Sequence, residues 1–167
     1  MPTVYTIGYS QDTFAPFEER LAQHDIDLLV DVRSAPYSRY QTDFRYGVIE
    51  GLCRQADLEY RYMGDRLGGK PDNPDLLTEG VPDHEKIRDW EPFQHALNEI
   101  AGLAGTRRIA LMCGCAKPLR CHRGTLLSPE LIRRGLVVKH IVGDGVLLSH
   151  AEAEFEETGG QATLFDL

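Results

Sequence analysis

Between Cys113 and Arg123 the chain places three cysteines, Cys113, Cys115 and Cys121, and follows the last with His122 and Arg123. The thiolate is the nucleophilic form of cysteine, and a helix start, a histidine or an arginine beside the sulfur favours it. Cys121-His122-Arg123 falls where a helix should begin, so Cys121 and Cys113 are candidate nucleophiles with His122 and Arg123 as their activators. A small buried hydrophobe is the alternative role for either thiol. Cys113-x-Cys115-x5-Cys121-His122 also has the ingredients of a zinc site, because thiolates two apart on a strand face one way. Adjacent Cys121 and His122 rarely ligate one ion together, and the spacing matches no familiar finger or ribbon. No metal is therefore expected, and no cofactor is assigned.

A second group precedes it at Asp31-Val32-Arg33, followed by Ser34, Pro36, Ser38 and Arg39. Alternation along a strand puts Asp31 and Arg33 on one side, where they either form an ion pair or jointly address a polar ligand. Residues 107 to 140 carry eight Lys/Arg against one acid, a local balance of +7, while residues 141 to 167 carry six acids and no base. Two readings stand: a solvated basic face, or an anion-binding rim in which Arg33, Arg39, Arg120 and Arg123 take part.

Both groups sit where strands should end. Val4 to Gly8 reads as a short buried strand, and Thr13 as the cap of a helix to about His24 with Phe14, Phe17 and Leu21 on one face. Leu28 to Val32 is a continuous apolar run suited to a central parallel strand. Tyr46 to Ala56 reads as a helix with Val48, Ile49 and Leu52 inward, and Leu58 to Met63 as a strand leading into a glycine-rich loop from Gly64 to Pro71. Residues 72 to 90 are loosely patterned, whereas Trp90 to Ala104 repeats Phe93, Leu97, Ile100 and Leu103 at helical spacing. A strand Ile109 to Cys113, a helix from about Gly124 to Arg134 and a last strand Val137 to Val142 complete the series. This alternation predicts an α/β fold: a single domain, mainly parallel sheet with helices on both faces. Ligands of such sheets collect at the carboxyl ends of the strands.

The 167 residues suit one domain with a core that needs no staple, and the formal charge of −8 argues against bulk attraction to nucleic acid or anionic membrane. No stretch is apolar for the roughly 20 residues a membrane helix needs, and Met1-Pro2-Thr3-Val4-Tyr5 does not read as a secretory signal. Clustered, unevenly spaced cysteines read as free thiols in a reducing compartment, so the expected location is cytoplasmic, with no membrane partner.

Several motifs together resemble the bacterial and archaeal family called domain of unknown function 488: Thr6-Ile7-Gly8-Tyr9-Ser10, Leu29 to Arg33 with Pro36 and Ser38, Tyr62-Met63-Gly64, Leu67-Gly68-Gly69, Cys113 through Arg123, and His140-Ile141. The resemblance implies the fold and the place of the site, but no reaction. Where that family usually has glutamate, this chain has Cys115. The Cys115-x4-Arg120 loop also looks like the sulfurtransferase loop of rhodanese domains.

Residues 1–157 read as this domain and 158–167 as a flexible tail. The tail, Thr158-Gly159-Gly160-Gln161-Ala162-Thr163-Leu164-Phe165, is similar to the short peptide by which DNA polymerases and repair proteins bind the bacterial sliding clamp. The resemblance implies that Leu164 and Phe165 fill an apolar groove while Gln161 hydrogen-bonds at its rim; docking of the tail on its own domain is the alternative. The leading expectation is a DNA-maintenance accessory protein or enzyme, tethered by the clamp and acting on nucleic acid or a nucleotide-like anion. A thiol-dependent small-molecule enzyme, sulfurtransferase-like or redox, is the runner-up, and a non-catalytic binding module the third reading.

Overall fold

A short, almost wholly buried run at the start of the chain builds β1 (Thr3–Gly8), and α1 (Phe14–Ala22), β2 (Leu28–Asp31), α2 (Val48–Gln55) and β3 (Glu59–Tyr62) follow it in the computed structural model, which describes residues 1–159. Next come a single helical turn, α3 (Gly64–Leu67), a small hairpin of β4 (Leu77–Thr78) and β5 (Val81–Pro82), and the helices α4 (His84–Asp89) and α5 (Glu91–Ala104). The last third contains β6 (Ile109–Cys113), a π-helical turn Arg123–Leu127 running into α6 (Ser128–Arg133), β7 (Val137–Val142), β8 (Val146–Ser149) and α7 (His150–Glu157).

The main sheet has the order β3-β2-β6-β1-β7-β8, parallel except for β8, which pairs antiparallel with β7. Side chains alternate across it. Val4, Val30, Leu111 and Val138 face α5, the π-helical turn and α6, where Phe93, Leu97, Leu127 and Leu131 are buried. Tyr5, Ile7, Leu29 and Met112 face the other layer, where α1 and α2 supply Phe17, Leu21, Ile49 and Cys53. Both faces are covered, so the central strands are buried, and their carboxyl ends lie along one edge. The fold is the expected α/β domain with a mainly parallel sheet between two helical layers.

Several details differ from expectation for identifiable reasons. Thr13 makes no side-chain cap on α1; the Phe14 N–H donates instead to Asp43 Oδ2 at 2.9 Å, so a residue thirty positions away occupies the capping role. Val48 is exposed, and Ile49 and Cys53, four apart, form the buried stripe of α2. The Gly64–Pro71 segment begins as the α3 turn rather than open loop, with Leu67 fully buried. The acidic residues after Ser149 belong to α7, opened by a capping box in which the Ser149 hydroxyl accepts from the Glu152 N–H and the Glu152 carboxylate accepts from the Ser149 N–H. No helix among the described residues is long and apolar enough to cross a membrane.

Candidate active site

β1 and β6 run side by side, so Gly8 and Cys113 end level with each other, and β2 ends at Asp31 on the far side of β6. Beyond these carboxyl ends lies a cavity of about 780 Å³, lined among others by Arg33, Lys70, His84, Cys113, Cys121 and His122. That volume accommodates a nucleotide-sized molecule. Two glycines permit its walls to close. A Cβ on Gly8 would lie 1.7 Å from the Cys115 carbonyl oxygen, and one on Gly69 would lie 2.7 Å from the His122 side chain. Any larger residue at Gly8 would force the cysteine loop off the end of β1.

The three sulfurs lie within 4.8 Å of one another. Cys113 Sγ and Cys121 Sγ are in contact at 2.7 Å, with both residues buried, whereas Cys115 is exposed. Directly behind them is Arg123, the largest fully buried side chain. Its guanidinium donates to Cys113 Sγ at 3.1 Å, to Thr6 Oγ1 at 2.7 Å and to the carbonyls of Cys115 and Ala116 at 2.8 and 3.2 Å. Among the described residues no carboxylate pairs with it. A buried cation without a carboxylate partner favours negative charge on the sulfurs around it, though other contacts decide which sulfur carries that charge. Hydrogen bonding from Cys113 lowers the pKa of the Cys121 thiol, outweighing burial, and the Arg123 backbone N–H and charge add to the effect. Cys113 keeps its proton: the contact with Cys115 pulls its pKa down, but the contact with Cys121 and burial push it up to about 11. The hydrogen bond with Cys113, and after it burial, also raise the pKa of Cys115. Cys121 is therefore the first of the three to ionise.

His122 stands beside it. Its Nε2 is 2.8 Å from the Val32 carbonyl oxygen, an atom that only accepts, so Nε2 carries the proton and Nδ1 presents a lone pair 3.7 Å from Cys121 Sγ. Burial lowers the pKa of the ring and keeps it neutral, despite the opposing bond to Val32. The distance is longer than a made thiol–imidazole hydrogen bond but within reach of a small side-chain rotation.

At the other wall, Asp31 is fully buried and holds Arg33 in a fork: Nε to Oδ1 at 2.9 Å and Nη2 to Oδ2 at 2.8 Å. Tyr60 donates to the same carboxylate at 2.6 Å, and Arg33 Nη1 donates to the Tyr9 hydroxyl at 3.2 Å. Burial opposes the charge on Arg33, but Asp31 outweighs it and the guanidinium is more firmly protonated than usual. Asp31 is thus a positioning residue, and Arg33 is the group that faces the cavity.

Arg123 also begins a chain of hydrogen bonds. Thr6 Oγ1 accepts from Arg123 and lies 2.6 Å from His140 Nδ1; His140 Nε2 lies 3.1 Å from His150 Nδ1, and His150 Nε2 reaches Glu154 at 3.0 Å. Burial, together with Arg123 and His150, pushes the pKa of His140 down to about 3 and keeps the ring neutral.

The expected basic rim is not continuous. Arg107 and Arg108 precede β6 and lie at the opposite end of the sheet, Arg133 and Arg134 pair with Glu130, and Arg39 lies off the cavity against Tyr40. Arg123 lies behind the sulfurs instead of facing a ligand. Of the four arginines proposed to bind an anion, Arg33 and Arg120 line the cavity, and Arg120 also pairs with Glu157 at 3.1 Å. Lys70 and His84 line it as well and escaped the sequence reading, because they fall in segments with no periodic pattern. Tyr9 and Tyr60 also escaped; only their hydroxyl contacts across the sheet reveal their roles.

The model of the family described as Domain of unknown function DUF488 matches residues 13–128, which include both cavity walls. The chain belongs to that family. No curated protein and no solved structure matches it. The DUF488 match covers Asp31, Arg33 and all of Cys113 to Arg123, but stops short of His140 and of the tail. Gln161, Leu164 and Phe165 lie outside the described residues.

Proposed function

We propose that this DUF488 protein is a thiol-dependent enzyme acting on a nucleotide-like or other phosphorylated anion, with Cys121 as nucleophile and His122 as its base. The observation that carries the reading is the Cys121–His122 pair at the cavity floor, its imidazole tautomer determined by the Val32 carbonyl. In the first step His122 Nδ1 takes the Cys121 proton and the sulfur forms a bond to an electrophilic centre of the substrate. The bond to the leaving group breaks, and that group departs with the electron pair and the proton held by His122. Arg33, Lys70 and Arg120 would receive the anion, with Arg33 pre-oriented by Asp31. Iodoacetamide labelling of the folded protein, mapped by mass, tests this. Cys121 should react at least about tenfold faster than the buried Cys53, and mononucleotides should slow it. An unreactive Cys121 overturns the reading.

The tail motif favours a second, compatible role in DNA maintenance through recruitment to a sliding clamp. Its support is Gln161-x-x-Leu164-Phe165 in a segment that follows α7, the last element among the described residues. A labelled peptide of residues 158 to 167 should bind the bacterial clamp at concentrations of about 100 μM or below, and Leu164→Ala/Phe165→Ala should abolish binding. A peptide that fails to bind removes the clamp link and leaves the thiol reading untouched.

A further inference from the structure

We propose that Cys113, Cys115 and Cys121 together form a binding site for a thiophilic divalent cation of zinc's class, with its fourth position open to the cavity. Three sulfurs within 4.8 Å of one another supply the ligand set. Tetrahedral coordination with metal–sulfur bonds of roughly 2.3 Å sets sulfurs roughly 3.8 Å apart, so Cys113 and Cys121 must open by about 1 Å from their 2.7 Å contact. Cys115 is exposed, so its side chain is the one free to swing inward over the buried pair.

Charge supports the same assignment. Three thiolates and a divalent cation carry a net charge of −1, and the guanidinium of Arg123, already on Cys113 Sγ at 3.1 Å, neutralises it. Beside the open position, His122 has the orientation common to histidines at metal centres, with Nε2–H donated to a backbone carbonyl and Nδ1 unprotonated on the sulfur side. All three cysteines line the cavity, so an ion and its fourth ligand have an entry path.

An ion held this way withholds Cys121 from reaction. The inference goes beyond the proposed thiol chemistry and deepens it, making metal occupancy a mask over the same nucleophile. The intact protein, reduced and stripped of metal, should be titrated with Co(II) without oxygen. One equivalent should produce sulfur-to-cobalt charge-transfer absorption and the visible bands of a tetrahedral site, both displaced by Zn(II). Cys115→Ser should remove about a third of the charge-transfer intensity, one thiolate of three, while Cys53→Ala should leave it intact. Cys115 is exposed, so its substitution keeps the test informative even if Cys121→Ser fails to fold. Absence of the charge-transfer band, or a band unaltered by Cys115→Ser, overturns the proposal. Iodoacetamide labelling of the metal-free protein reads the nucleophile separately: rapid Cys121 labelling without a cobalt band removes the metal site alone. A cobalt band with an inert Cys121 removes the nucleophile alone.

Discussion

The two ends of the parallel sheet treat arginine in opposite ways. At the amino end, Arg107 bridges Asp27 at 2.9 Å and Glu59 at 2.8 Å in partly solvated surroundings, and Arg108 donates to the His24 carbonyl and the Tyr5 hydroxyl. At the carboxyl end, Arg123 is wholly buried, touches a sulfur, a hydroxyl and two carbonyls, and meets no carboxylate among the described residues. Exposed pairs of the first kind contribute little and weaken with salt. The second kind commits the fold to a buried positive charge whose nearest ionisable neighbours are thiols. The three sulfurs and the cavity lie at the carboxyl end, and the Arg107-Arg108 pair at the other end is a surface feature.

The sharpest way to break this contrast is to remove each arginine in turn. Arg123→Ala leaves the Cys115 and Ala116 carbonyls and Thr6 without their donor and should cost roughly 3–5 kcal/mol in denaturant melts. Arg107→Ala should cost less than about 1 kcal/mol, and less still in high salt. Equal losses would erase the distinction between the two ends.

Acid should act mainly at the carboxyl end. His140 faces Thr6 and His150, with Arg123 and Glu154 further along the same chain of hydrogen bonds, and its pKa falls from 6.5 to about 3 on folding. Its neutral form is favoured in the folded state, so the associated stability is present above pH 6.5 and is lost as pH falls toward 3. The loss should reach on the order of a few kcal/mol near the bottom of that window. Chemical denaturation from pH 7 to pH 4 should show this slope, and His140→Gln should flatten it. A wild-type curve without the slope would mean that His140 protonates freely.

A smaller effect sharpens the comparison from the ligand side. Phosphate or a mononucleotide should raise the melting temperature by mass action, and Arg33→Ala should reduce that shift while Arg107→Ala leaves it unchanged. A shift of the same size in both variants would place the anion outside the cavity.

Much of this was legible in local pattern. The strands Val4–Gly8, Leu28–Val32, Ile109–Cys113 and Val137–Val142 were readable because burial on both faces demands unbroken apolar runs, and β1, β2, β6 and β7 agree with them within one residue at each end. The edge elements were harder. β8 is half exposed, and the acidic surface of α7 masks a helix whose buried contacts are His150 and Ala153. The α1 cap could not be read locally, because its acceptor, Asp43, lies in another segment.

By itself, the sequence determined the α/β class, the two strand-end segments and the residue types that bear chemistry, since periodicity and the order of elements depend on near neighbours along the chain. Only the tertiary structure decided which of those residues work together. It turned Arg123 inward and left Arg39 outside, made Asp31 the support of Arg33, and brought Cys115 to within 4.8 Å of two sulfurs. Charge patterning along a chain cannot distinguish an arginine facing water from one facing the core. That choice rests on β1 and β6 ending side by side, so that Thr6, Gly8 and the cysteine loop enclose the same guanidinium.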